Sequence, residues 1–402
     1  MNSSARSAPT SSPAPQAVRI ESKLPLVGTT IFTVMSALAA ESKAVNLGQG
    51  FPDFACDPAL IDMVGSAMKN GLNQYPPMAG AAPLRTAISN KIERIYGHRY
   101  HADSEITVTA GATQALMTAI LCCVHAGDEV IIIEPAYDSY APSVLLAGGV
   151  PVFVQMDIGS SGYTVPWNKV AAAVTAKTRL IIVNSPHNPT GSVLRESDMA
   201  MLADIVRGSQ ILILADEVYE HMVYDGVRHE SICRYPEMAA RAFVVSSFGK
   251  TYHVTGWKVG YVAAPTALSE EFRKVHQFNV FTVNTPMQHG IAAYMANPAP
   301  YLELPAFYER KRNLFRAGLE NTRFKLLPAN GTYFQCVDYS AVSTMSSLTE
   351  VEFATWLTAE IGVAAIPVSA FYNQPKESGV VRFCFAKKDE TLELALKRLA
   401  SI

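Results

Sequence analysis

Between Asp57 and Gly97 the apolar residues recur every three or four positions. Leu60, Ile61, Val64 and Met68 form one such series, opened by Asp57 as a cap and Pro58 at the first helical position, with Gly71 as its expected end. Leu84, Ile88, Ile92 and Ile95 form a second, which stops at Gly97. From residue 105 the period changes. ITVTAG, EVIIIEP, PVFVQM, RLIIVNSP, QILILADE and AFVVSSFG are short apolar runs without polar alternation, most of them rich in β-branched residues. Such runs suit strands covered on both faces, and helical patterns lie between several of them. They predict an α/β fold with a mainly parallel sheet, flanked by helices. After residue 300 the pattern is mixed: FKLLPANGTYFQCVDYS, a helix near 350–361, VAAIPVS, VVRFCFAK and a last helix from Asp389. This predicts a smaller α+β domain over 301–402, joined by an N-terminal arm over 20–56, with a large domain over 57–300 between them.

Composition adds limits. The 402 residues are 49% hydrophobic and 17% charged, which is ample for a buried core and argues against global disorder. A net charge of -2 gives no electrostatic basis for nucleic acid as a partner. No apolar stretch approaches the roughly 20 residues of a membrane helix, so no membrane partner is expected. The six cysteines are scattered without a C-x-x-C pair and read as reduced thiols in a cytoplasmic protein. The nine histidines include no H-E-x-x-H motif, and His98 and His101 have no patterned partner, so no metal site is expected. Residues 1–19, rich in Ser, Ala and Pro and lacking the apolar core of a secretory signal, read as a disordered tail.

In an open parallel sheet, ligands bind beyond the carboxyl ends of the strands. The polar residues expected there are Gly111, Thr113, Tyr137, Asn188, Asp216, Tyr219, Ser247 and Lys250. Gly249-Lys250-Thr251 suggests a nucleotide loop, but that motif needs a glycine where Val244 stands in an apolar run. Gly48-Gln49-Gly50 opens like a dinucleotide fingerprint, but Asp53 takes the place of the third glycine. Covalent chemistry is the other use for such a lysine. Its amine forms a Schiff base with an aldehyde when burial or nearby cations lower its proton affinity. The neighbours describe that aldehyde. The amides of Gly111, Ala112 and Thr113 at a helix start, with Ser247 and Lys258, suit a phosphate. Asp216, emerging from an apolar run, suits a protonated ring nitrogen. Asn188 and Tyr219 suit a ring hydroxyl, and Tyr137 a ring face. Together these features describe pyridoxal 5'-phosphate. Taken singly, each has a plainer reading: an Asp as a cap, Asn-Pro as a turn, a Tyr as packing. Their coincidence at successive strand ends favours the cofactor.

SPHNPTG (185–191), ADEVYEH (215–221), SSFGKTYHVTGWKVGY (246–261) and VRFCFAK (381–387) resemble the fold-type-I pyridoxal phosphate-dependent aminotransferases. NLGQGFPDF (46–54) narrows the resemblance to the kynurenine aminotransferase-like group. KLPLVGTTIF (23–32), EPAYDSYAP (134–142) and GVAAIPVS (362–369) look closest to its bacterial methionine aminotransferases. The resemblance implies Lys250 as Schiff-base lysine and proton shuttle, and Asp216 on the pyridine nitrogen. It implies Asn188 and Tyr219 on the ring hydroxyl, and Tyr137 on the ring. The backbone of Ala112 and Thr113, with Ser247 and Lys258, would hold the phosphate. Tyr75 would reach the phosphate of a neighbouring subunit, which implies a homodimer with shared sites. Arg382, with Asn188 and the backbone of Gly50, would bind the substrate α-carboxylate, and Phe32 is expected to line the side-chain pocket. The implied reaction is ping-pong transfer between an amino acid (methionine, phenylalanine, tyrosine, tryptophan or kynurenine) and a 2-oxo acid. A cysteine-conjugate β-lyase is an alternative on the same fold. A regulator that senses the cofactor is another, although the 19-residue tail cannot hold a helix-turn-helix. Two departures stand out. Lys258 occupies a position where many relatives carry arginine, and a lysine offers a point charge rather than a fork. The position of Ala112 varies, so only its backbone matters.

Overall fold

All six apolar runs form strands: Ile106–Thr109, Glu129–Glu134, Val150–Gln155, Thr178–Asn184, Leu212–Asp216 and Ala242–Ser247. The computed structural model describes residues 20–402 except 160, 343, 344 and 375, so the expected N-terminal tail lies outside the described residues. A further strand, Gly260–Ala263, completes a seven-stranded sheet. Across the sheet the strands begin at residues 106, 260, 242, 212, 178, 129 and 150. Six run parallel, and Gly260–Ala263 runs antiparallel between its two neighbours. The apolar pattern alone did not separate this strand from the loop before it. Residues 248–259 hold only a four-residue helix and a 3-10 turn, so the chain stays at one end of the sheet and runs back.

Both faces are covered, as runs without alternation require. Ile131 and Ile133 pack in one core with Leu84, Ile88 and Ile92. Val130 and Ile132 point the other way, into a core with Leu116, Ile120 and Phe272. The helix Pro58–Lys69 starts as predicted, with Asp57 accepting from the Ala59 amide at 2.9 Å. It buries Leu60, Val64 and Ala67, whereas Ile61 and Met68 lie off that face and are exposed. It ends at Lys69, before the expected Gly71. The helix Ala82–Tyr96 stops at Gly97 in the left-handed region, as expected.

The C-terminal part is a four-stranded antiparallel sheet of Lys325–Leu326, Phe334–Asp338, Val380–Cys384 and Ile366–Pro367. Helices Leu304–Leu319 and Asp389–Leu399 contribute Phe315, Leu392 and Leu399 to its core. The helix predicted near 350–361 is α-helical over Glu350–Trp356 and widens into a π-turn over Leu357–Ile361. From the N-terminal side, Val45–Asn46 pairs in parallel with Val363–Ala364. Among the described residues no helix is long and apolar enough to cross a membrane.

Candidate active site

The carboxyl ends of the parallel strands open into a cavity of about 200 Å3. Ala112, Thr113, Tyr137, Asn188, Asp216, Tyr219, Ser247, Lys250 and Lys258 line it. Every cofactor residue expected from the sequence is therefore brought together except Tyr75. That side chain is 81% exposed, away from the cavity, and its ring meets Phe281 edge-on at 5.3 Å.

One end of the cavity is built for an anion. The strand Ile106–Thr109 turns through Gly111 into the helix Gly111–Cys123. Gly111 has φ +74°, and a Cβ there would lie 3.3 Å from Lys258 Nζ, so glycine alone fits without strain. The first amides of this helix carry its positive dipole end. Ser247 caps the short helix Phe248–Thr251, its Oγ accepting from the Gly249 amide at 3.2 Å, which leaves its hydroxyl proton for another acceptor. Lys258 stands opposite in the left-handed region, φ 55°. Among the described residues no carboxylate lies within ion-pair distance of it. The Thr113 and Tyr137 hydroxyls are 3.1 Å apart.

The other end carries a buried carboxylate. Asp216 closes the strand Leu212–Asp216 and is 4% exposed. Burial pushes its carboxyl up to about 6, opposed by hydrogen bonds from Tyr140 Oη at 2.7 Å and the Val218 amide at 3.3 Å. Asn184 donates to the Asp216 carbonyl at 2.8 Å and accepts from the Asn188 amide at 2.8 Å, which ties the two loops together.

Lys250 lies between these ends. Its Nζ donates to Tyr333 Oη at 2.9 Å and to the Gly50 carbonyl at 3.3 Å. Tyr333 Oη in turn donates to the Gly50 carbonyl at 2.5 Å. The Tyr219 and Tyr333 rings lie 5.5 Å from the ammonium. Burial lowers the Lys250 ammonium to about 8, and Arg382 and Lys258 act in the same direction. Such an amine sheds its proton near neutrality, as the covalent chemistry expected of it requires.

Arg382 reaches the site from the small sheet and is 1% exposed. Its guanidinium donates to Asn188 Oδ1 at 2.6 Å and to the Gly48 carbonyl at 3.3 Å. It sits 3.9 Å from the Phe334 ring centre, 4.9 Å from Phe371 and 5.5 Å from Phe32. Nε has no partner, and among the described residues no carboxylate pairs with this group. A buried, permanently charged guanidinium in that condition is costly unless an anion completes it. Phe32 thus stands beside Arg382, but the backbone carbonyl that meets the guanidinium is that of Gly48, while the Gly50 carbonyl turns to Lys250 and Tyr333. Lys387 clasps the same segment through the carbonyls of Phe51 at 2.8 Å and Gln49 at 3.3 Å.

The sequence reading missed Tyr140, Asn184 and Tyr333. Tyr140 and Asn184 sit inside quoted segments, but only the fold shows that they face Asp216. Tyr333 comes from GTYF, whose loop gave no sign that it meets Lys250, 83 residues earlier.

The family model described as aminotransferase class I and II matches residues 42–399. The chain belongs to this family. A methionine aminotransferase of Escherichia coli is 49% identical over 383 residues, covering 95% of this chain and 98% of the relative. A crystal structure that identified a methionine aminotransferase function in an Escherichia coli protein superposes with TM-score 0.93 at 48% identity, covering 96% of this chain and 100% of the other. A kynurenine–oxoglutarate transaminase of Dictyostelium discoideum is 35% identical over 410 residues, covering 93% of this chain and 94% of the relative. The protein is an aminotransferase, acting on an amino acid and a 2-oxo acid, and its family depends on pyridoxal 5'-phosphate. The fold-type-I architecture expected from the sequence is the one found.

Proposed function

We propose that this aminotransferase takes methionine, and aromatic amino acids including kynurenine, as amino donors, with Lys250 as its covalent and proton-transferring residue. The observation that carries this reading is the buried Arg382, without a carboxylate partner among the described residues and ringed by Phe32, Phe334 and Phe371, bonded to Asn188 at the wall of the cavity that the low-affinity amine of Lys250 also lines. A guanidinium fixes the α-carboxylate, and the rings receive a thioether or an aromatic side chain. Apolar contacts separate related side chains by only about 1–3 kcal/mol, so a broad donor range is expected.

The cavity residues fit pyridoxal 5'-phosphate. The first turn at Ala112 and Thr113, Ser247 and Lys258 suit its phosphate. Asp216 suits its ring nitrogen, Asn188 and Tyr219 its ring hydroxyl, and Tyr137 its face. When bound, this group supplies the electron sink for the pair left on the substrate Cα. Asp216, held by Tyr140, keeps a negative charge beside that ring. Arg382 and Asn188 orient the carboxylate so that the Cα–H bond faces Lys250. Lys250 Nζ is the group that would take the Cα proton and carry it onward. On this reading Arg382 comes from the domain 301–402 and the Gly50 backbone from the arm 20–56, while the domain 57–300 supplies Asn188 and the amine.

Recording the half-reaction spectrum with each of twenty amino acids tests the substrate reading. Fastest conversion with methionine or an aromatic donor supports it, and fastest conversion with another class overturns it. Pyruvate released from a cysteine conjugate without added oxo acid would instead favour the β-lyase reading. Tyr75 and Phe281 form an exposed aromatic pair, which supports a homodimer completed by Tyr75. Sedimentation at the mass of a single chain would refute the dimer.

Lys258 is expected to matter less than an arginine fork would, because amides and hydroxyls share the phosphate. Lys258→Ala should weaken cofactor binding about tenfold in a fluorescence titration of the cofactor-free protein. A loss of several hundredfold would make Lys258 the main phosphate ligand.

A further inference from the structure

We propose that Tyr333 is a further catalytic residue, its hydroxyl oxygen receiving the Lys250 amine whenever that amine carries the proton in transit. This rests on the reading of Lys250 given above. The Tyr333 hydroxyl proton has two acceptors in reach, the Gly50 carbonyl and the Tyr219 hydroxyl, and with either one its oxygen is left to accept from Lys250. The Gly50 carbonyl lies 2.5 Å from Tyr333 Oη, and Lys250 Nζ meets the remaining lone pair at 2.9 Å. The Gly50 carbonyl accepts from Nζ as well, at 3.3 Å. Two acceptors on adjacent elements therefore converge on one amine.

Their origin explains why they stay in place. Tyr333 is fully buried, edge-on to Tyr219 at 5.2 Å and to Phe334 at 4.9 Å. Gly50 is fixed from the other side: a Cβ there would sit 3.1 Å from the Phe334 ring. Burial holds the Tyr333 phenol well above its ordinary value, so it stays neutral and serves as an acceptor rather than as a second base.

The step balances without another reactant. The Cα–H bond breaks, its electron pair passes into the electron sink that the bound cofactor would supply, and an N–H bond forms at Lys250 Nζ from the amine lone pair. The resulting ammonium donates to Tyr333 Oη and the Gly50 carbonyl. The proton then leaves Nζ for the acceptor carbon, where the pair released from Cα forms the new C–H bond, and Nζ regains its lone pair. Tyr333 stabilises the charged half of this cycle and keeps the amine from swinging away between the two transfers.

Tyr333→Phe removes one oxygen and keeps the ring. In the cofactor-free protein, acetylation of Lys250 by acetic anhydride as a function of pH, read by peptide mass spectrometry, should have a midpoint near 8. The variant should shift it down by about one unit, because the charged form loses an acceptor. With cofactor loaded, single-turnover proton removal from an α-deuterated amino acid should slow by about 10- to 100-fold, with a larger isotope effect. Incorporating 3-fluorotyrosine at position 333 weakens the acceptor with less disturbance and should move both readouts the same way by less, which covers a variant that folds poorly. An unmoved midpoint and an unmoved isotope effect overturn the proposal. Borohydride trapping of pyridoxal 5'-phosphate in the unsubstituted protein separates the two readings: no adduct on Lys250 defeats the underlying assignment, whereas an adduct with no effect of Tyr333→Phe defeats this inference alone.

Discussion

Lys250→Ala is expected to abolish transamination, with turnover down by at least about 10,000-fold. Two functions go with the side chain: covalent attachment of the cofactor and proton transfer at Cα. The size of the loss follows from position. Among the described residues no other amine lines the cavity except Lys258, which stands at its anion end beside Gly111. The variant should still bind pyridoxal 5'-phosphate, through Asp216, Ser247 and the helix start, but without the pH-sensitive visible band of the lysine-linked form. Folding should not suffer, since removing a buried amine with lowered proton affinity removes a cost rather than a support. Absorbance, turnover and thermal melting together check this, and a variant that kept both band and turnover would end the assignment.

The second large effect is at Arg382. Arg382→Ala should raise KM for the amino acid and lower kcat/KM. The cost is roughly 2–5 kcal/mol, as for a buried charge pair that loses one partner. That is on the order of 30- to 5,000-fold in kcat/KM. Arg382→Lys should recover little, because the planar group donates to Asn188 and Gly48 at once while lying against Phe334. Steady-state kinetics with methionine reads this directly. A KM unchanged within twofold would remove Arg382 from the carboxylate site.

Much of this was legible in the chain. Six strands could be read from runs such as EVIIIEP because burial on both faces erases alternation, and the helix caps at Asp57 and Gly97 follow local rules. Lys250, Asp216 and Ser247 were readable because a parallel sheet puts its chemistry at strand ends. The antiparallel strand Gly260–Ala263 was not, being four residues that straddle the end of a longer motif. Ile61 and Met68 show the limit of periodicity: they keep the spacing of a buried stripe but sit on the exposed side. Tyr333 and Tyr140 show a different limit. Contacts across 83 and 76 residues are set by how sheets and loops dock, which no local pattern encodes.

The placement of Arg382 near the amine also ties proton affinity to ligand affinity. Arg382 is one of the charges that hold Lys250 down. A simple carboxylate bound to Arg382 in the cofactor-free protein screens that charge, so the ammonium becomes easier to keep. By reciprocity, the same carboxylate must bind more tightly to the protonated protein, by the same factor. Its affinity should therefore be greatest below pH 8 and fall as pH rises through the Lys250 transition, with proton uptake on binding. Calorimetry in two buffers of different ionisation heat measures that uptake, and proton release would reverse the sign of the coupling.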